Sequence, residues 1–319
     1  MSTELLAHEE VESRGPHWVS QAAFPLVSGI TLFGEMVLAF AVYRDCYWLA
    51  VPLVLVISHF MHGQLIGFHE ASHGLLRRSR KLNEIDGVLI GTFSFLSFSL
   101  YRAAHQTHHA HLGTERDEEF WPFVNPDVPR WARIAAAILE LNLGLIFTPL
   151  IFLRTFFRRN SPIRSRKVRR RIWAELAFMF FVWTTLLLTS WMTNGWKYLL
   201  WMYLAPAVIA GNLQSWRKYI EHVGLTSATI RGSTRSVIAK GPVGKFVALT
   251  LLHEPFHGVH HQRAGIHHWE MPQFAADLEP MNEEEPAPFR SYWHALMHLL
   301  GTLADPRVGP QWKRSEAGN

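Results

Sequence analysis

Residues 47–73 read YWLAVPLVLVISHFMHGQLIGFHEASH. At about 1.5 Å per helical residue, the apolar run from Tyr47 to Phe68 covers the roughly 30 Å hydrocarbon layer of a bilayer. It delivers His69 and His73 to its far end, spaced so that both imidazoles share one helix face. A membrane helix carrying a pair of metal-type ligands at its end is the expectation for the whole chain.

Working outward, Phe24–Tyr43, Ile172–Met192 and Trp196–Trp216 are also apolar and long enough to span. Only Arg44, Asp45 and Cys46 separate the first two spans, and only Thr193, Asn194 and Gly195 the last two, which predicts two tight helical hairpins. The expected fold is therefore an all-α integral membrane protein, with four transmembrane helices in two hairpins under a cytoplasmic helical cap that carries the histidines. Two shorter apolar stretches, 87–101 and Ile134–Leu153, the second interrupted by Glu140, Asn142 and Pro149, read as re-entrant or interfacial helices.

The net charge of +5 is concentrated in Arg77, Arg78, Arg80, Lys81 and from Arg154 to Arg171. These clusters flank apolar spans, so they orient the chain in the membrane with the clusters in the cytoplasm, rather than marking a nucleic-acid surface. Trp48, Trp191, Trp196, Tyr198 and Trp201 fall near the opposite ends, where aromatic rings favour the interface. The first twenty residues are acidic, without an apolar core, and read as a cytoplasmic arm rather than a signal peptide. Residues 21–278 form the expected membrane-embedded catalytic domain, and 279–319 an acidic, Pro-rich segment ending in a loose tail. A single cysteine, Cys46, excludes a disulfide framework and cysteine-based metal sites within one chain.

Nitrogen and oxygen must then hold any metal. Four blocks sit just past the cytoplasmic ends of apolar segments: HEASH (His69, His73), HQTHH (His105, His108, His109), EH (Glu221, His222) and HGVHH (His257, His260, His261). Their nine imidazoles exceed one tetrahedral zinc and suit two iron ions with about four or five ligands each. Glu70, Asp117, Glu221 and Glu254 lie in or beside the blocks, where they can accept the second ring N–H of a ligand and fix its tautomer. His59 and His62 read as packing or hydrogen-bonding groups. His111 and His253 are possible additional ligands, and His267, His268, His294 and His298 surface or interfacial groups. His8 and His17 lie in the arm.

HEASH, HQTHH and HGVHH, with His222 on a later span, resemble the membrane fatty acid desaturase superfamily, from about His59 to about Pro272. The resemblance implies a diiron centre that activates O2 and attacks an unactivated C–H bond on a lipid or acyl chain, reached by a tunnel within a four-helix cone. Phe60, Ile66 and Trp183 are candidates for its lining. KYIEHVGL looks more like alkane hydroxylases, whereas the first two boxes and GTERDEE look like acyl-lipid desaturases. Desaturation of a fatty acyl chain is the expected reaction; hydroxylation of an alkane, fatty acid or lipid, or carotenoid oxygenation, is the alternative. No cytochrome b5-type, flavin or dinucleotide-binding segment is visible, so electrons are expected from an external ferredoxin or cytochrome b5-type donor with its reductase. A histidine-rich metal transporter is the non-enzymatic rival, and it would need ligands near the bilayer midplane, where only His59 and His62 qualify.

Overall fold

The computed structural model describes residues 18–313. His8, His17 and most of the expected N-terminal arm lie outside them. The described residues are helical throughout their regular parts, with no β-strand; the one isolated bridge joins Val237 and Phe289.

Helices α1 (Ala23–Tyr43) and α2 (Tyr47–His73) pack along each other across the turn at Arg44–Cys46. Gly74, at φ 77°, ends α2 in a left-handed cap that only glycine adopts without strain. Helices α3 (Arg80–Phe93) and α4 (Phe98–Ala110) follow, each opened by a serine, Ser79 or Ser97, whose hydroxyl accepts an N–H of the first turn. They meet at 101°. The stretch 87–101, expected as a re-entrant or interfacial helix, thus runs across the break of a sharply bent helix pair. Ser97 and Ser99 are tied to the carboxylate of Glu175 on α6 (Arg166–Met192), which locks the start of α4 to that helix.

Among the described residues, four helices are long and apolar enough to cross a membrane: α1, α2, α5 (Arg130–Phe157) and α6. Two of the expectations shift here. The fourth expected span, Trp196–Trp216, is not one uninterrupted α-helix. A short helix, Trp196–Tyr198, and a π-helical stretch, Leu199–Leu204, lead into α7 (Ala205–His222). Sequence periodicity does not register the extra residue that a π turn accommodates.

The segment expected as re-entrant, Ile134–Leu153, lies within α5 and has the length of a span. It is bent at Leu143, where φ is −131°. Asn212 of α7 donates to Asn142 O and accepts from Gly144 N, meeting the backbone groups that the bend releases. Both ends of α5 return to one short segment. Arg154 lies 3.7 Å over the Trp121 ring, while Arg133 lies over Trp312, whose indole donates to Phe123 O.

The hairpin partners also differ from expectation. Helix α6 packs chiefly on α3 and α4, whereas α7 packs between α2 and α5. The second expected hairpin therefore does not form, because α6 and α7, adjacent in sequence, pack on different helices. Large apolar side chains face outward on α1 and α6, among them Leu32, Phe33, Met36, Phe180 and Phe181. Such a surface is costly in water at about 25 cal/mol per Å² and favourable in lipid.

The C-terminal stretch is not loose as far as Lys313. Beyond α8 (Gly241–Thr250), α9 (His257–Gln262) and α10 (Tyr292–Thr302), Val308 N donates to Phe123 O and Gly309 N to Leu225 O, and Trp312 is buried. The polar composition of this stretch concealed the two apolar anchors, Val308 and Trp312.

Candidate metal centre

Four elements converge at one end of the bundle. The last turn of α2 brings His69 and His73, α4 brings His105, His108 and His109, α7 brings His222, and α9 brings His257, His260 and His261. All nine sequence-predicted ligands are together, and they sort into two groups. Nitrogens of His69, His73, His105, His109 and His260 lie within 4.8 Å of one another, as do those of His108, His222 and His261. His257 joins the second group through His222.

The outward ring nitrogens explain the orientation. Nδ1 of His105 faces Glu119 at 2.9 Å, Nδ1 of His108 faces Asp117 at 2.8 Å, and Nδ1 of His257 faces Glu254 at 2.9 Å. Nδ1 of His222 donates to the carbonyl of Ser233 at 3.0 Å. A carbonyl or an ionised carboxylate accepts only, so each Nδ1 carries the proton and each Nε2 is left with a bare lone pair. The bare Nε2 atoms of His222 and His257 point at each other at 2.7 Å, and Nε2 of His73 and of His109 lie 3.0 Å and 3.1 Å from the bare Nε2 of His105. The opposed lone pairs of His222 and His257 repel, and a shared cation resolves the conflict.

Other unsatisfied atoms point the same way. Both ring nitrogens of His69, Nδ1 of His260 and both oxygens of Glu70 are buried without a hydrogen-bond partner among the described residues. Burial lowers His257 to about 4 and holds His260 and His261 well below the usual imidazole range, which keeps them neutral, the form that ligates.

Of the four acidic residues expected to support the ligands, Asp117 and Glu254 contact them directly. Glu221 lies 3.5 Å from His257 Nδ1 and is bound by Arg217, while Glu70 comes no nearer than 3.7 Å to His69. Burial opposes charge on Glu254, but His69, Arg217 and His257 outweigh it and hold its carboxyl well below the ordinary range. The backbone delivers this carboxylate at a cost. Leu252 and His253 immediately before it both adopt left-handed conformations, with φ of 48° and 55°, worth about 1–3 kcal/mol of strain each.

Sequence reading missed Glu119 and Arg217. The buried Arg217 bridges Glu221 and Glu254.

The remaining histidines take other roles. His59 pairs with Thr250 and His62 with Gln214, as expected of hydrogen-bonding groups. His253 pairs with His268 at 3.2 Å and belongs to neither nitrogen group. His268, expected at the surface, is 2% exposed; the partner that buries it lies fifteen residues away on a separate turn. His294 bonds Ser291 at an exposed position.

Beneath the cluster lies a cavity of about 70 Å³. Its walls include Leu65, Tyr101, Glu119, Leu145, Phe152 and Lys218, and Tyr101 stacks on His105 with ring centres 5.1 Å apart. Phe60 and Ile66 are packed in the interior instead, and Trp183 lines a separate apolar cavity with Phe95 and Tyr203. None of the three lines the cavity beneath the histidines, although Trp183 does line an apolar one.

A helical membrane scaffold that gathers histidines at one end defines a class, and comparison identifies it. The profile of the fatty acid desaturase family matches residues 47–293, and the chain belongs to that family. It is 27% identical over 183 residues to an sn-1 acyl-lipid omega-3 desaturase (ferredoxin) of Synechocystis, covering 54% of this chain and 49% of that protein. It is 25% identical over 193 residues to a Delta(12) fatty acid desaturase of Calendula officinalis, covering 55% of this chain and 49% of the other. The chain thus matches about half the length of these curated relatives.

Proposed function

We propose that the protein introduces a double bond into a fatty acyl chain with O2 as co-substrate, using two iron ions held by the nine histidines. The observation that carries this reading is the pair of lone pairs facing each other at 2.7 Å between His222 and His257, each fixed from behind by an acceptor. Five nitrogens in one group and four in the other suit two ions of intermediate softness, with coordination positions left for O2. Bound iron supplies O2 activation and the removal of hydrogen from an unactivated C–H bond.

The chain's own residues do the rest. Glu119, Asp117, Glu254 and Ser233 O orient the imidazoles, and the apolar walls of the cavity hold the acyl chain and exclude water from the reacting carbons. Two hydrogens leave adjacent carbons as the double bond forms. Reduction of O2 to two waters takes those hydrogens together with two electrons and two protons from outside, so a separate donor is required. A ferredoxin or a cytochrome b5-type carrier with its reductase fits that need, and the name of the Synechocystis relative includes ferredoxin.

The histidine end faces the cytoplasm by the distribution of Lys and Arg. The test is expression in a host with a competent donor, followed by mass spectrometry of total lipids. Loss of two hydrogens at one fixed position supports the reading, and gain of one labelled oxygen from O2 replaces it with hydroxylation.

A further inference from the structure

Two carboxylates meet at one nitrogen of Arg217. Its Nη1 donates to Glu221 Oε2, one turn further along α7, and to Glu254 Oε1 at 2.8 Å. The same two oxygens flank Nδ1 of His257, Glu254 Oε1 at 2.9 Å and Glu221 Oε2 at 3.5 Å. The side chains of Glu221 and Glu254 are 3% and 0% exposed and that of Arg217 is 11% exposed, so water screens these charges little. Two carboxylates side by side in such a setting repel unless a cation lies between them.

The guanidinium thereby settles which acceptor His257 has. Glu221 is held on its own helix, beyond hydrogen-bond reach of the ring, and Glu254 remains as the acceptor. Because Arg217 and His257 both take Oε1 of Glu254, its other oxygen is left beside His69, 3.3 Å from Nδ1. The guanidinium is itself held from behind. Its Nε donates to Gln214 Oε1 at 3.3 Å, and the same oxygen faces His62 Nε2 at 3.1 Å. This gives His62, which joins no group of candidate ligands, a place in the support of the centre.

We propose that Arg217 is a positioning residue of the metal centre: standing between Glu221 and Glu254, it keeps the Glu254 carboxylate on His257 against the repulsion of Glu221, and so keeps His257 aimed at the ion. The proposal rests on the histidines holding iron, and it assigns a role to a side chain that touches none of them. The competing role is packing, since Arg217 lines an apolar cavity with Trp216, Ile220 and Val247. A methionine of similar length would fill that wall equally well.

The test is iron retention by the purified, iron-loaded protein against a graded chelator, read by elemental analysis. Arg217→Met is expected to release iron about 10–100-fold more readily than wild type, the usual effect of losing a ligand's outer partner. Both bonds come from one nitrogen, so the ammonium of Arg217→Lys can stand between the carboxylates as a point charge and should restore most of the retention. Adding Glu221→Gln to Arg217→Met removes the like charge together with its counter-ion. That pair of changes keeps the local charge balance, so it is expected to fold even where Arg217→Met alone does not, and to hold iron nearly as wild type does.

Wild-type retention in Arg217→Met, or a loss that neither Arg217→Lys nor the added Glu221→Gln relieves, overturns the proposal. Wild type that takes up no iron counts against the diiron reading instead, so the two fail separately.

Discussion

His69 and His257 belong to different nitrogen groups and share one carboxylate: Glu254 lies 3.3 Å from Nδ1 of the first and 2.9 Å from Nδ1 of the second. Arg217 holds the same carboxylate at 2.8 Å. One carboxylate therefore accepts from a histidine of one group and sets its charge beside a histidine of the other.

Glu254→Gln keeps the shape of that side chain but removes its charge. Metal affinity is expected to fall about 10–100-fold, the usual effect of losing a ligand's outer partner. Iron retained against a graded chelator, measured by elemental analysis, checks this. Unchanged retention would show that the carboxylate orients neither ring.

His222→Ala removes a proposed ligand that lies 35 residues from its nearest nitrogen partner, His257. Turnover should be abolished and iron content reduced, whereas His294→Ala, at an exposed helix start, should leave both close to wild type. Full activity in His222→Ala would reduce the centre to eight histidines.

The basic stretch from Arg154 to Arg171 divides into two uses. Arg154 and Arg158 pair with Glu118, and Arg171 pairs with Glu84 and Glu175, so these are structural. Arg159, Arg164, Arg166, Lys167 and Arg170 are exposed without an acidic partner among the described residues. Charge reversal at Arg159, Arg164 and Arg170 should lower the association rate with an acidic electron donor and flatten its salt dependence, with turnover at saturating donor unchanged. Stopped-flow kinetics at several ionic strengths would show it, and an unaltered salt slope would sink the docking role.

Glu140 and Lys218 form a buried ion pair that joins α5 to α7, with Tyr219 donating to the same carboxylate. Glu140→Leu alone strands a buried ammonium and should cost about 3–5 kcal/mol of stability. Adding Lys218→Met should recover much of that loss. Thermal unfolding of both variants in detergent is the measurement, and equal destabilisation of the single and double variants would refute the pairing argument.

The sequence made the histidines legible because their spacing repeats on helices whose polarity announces their ends. The carboxylates were harder to sort. Glu115, Asp117, Glu118 and Glu119 crowd one loop without periodicity, and only the fold assigns Asp117 to His108, Glu119 to His105 and Glu118 to the arginines of α5. Arg217 reads as one more basic residue at a membrane edge, since its second partner, Glu254, is 37 residues away. The bend in α5 left only weak marks, Asn142 and Pro149, because the Asn212 side chain that stabilises it comes from another helix.

Where α5 and α7 cross, Gly144 and Gly211 leave no room for any side chain: a Cβ on Gly144 would lie 2.5 Å from Gly211 O, and one on Gly211 would lie 2.8 Å from Leu145 N. The cavity wall at that crossing is main chain, and its position is inherited with the helix arrangement itself. Evolution cannot resize it one residue at a time without prising two helices apart. Relatives adapted to shorter or longer chains should therefore keep both glycines and differ at Leu65 and Leu145, the side chains that stand where one cavity opens into the next.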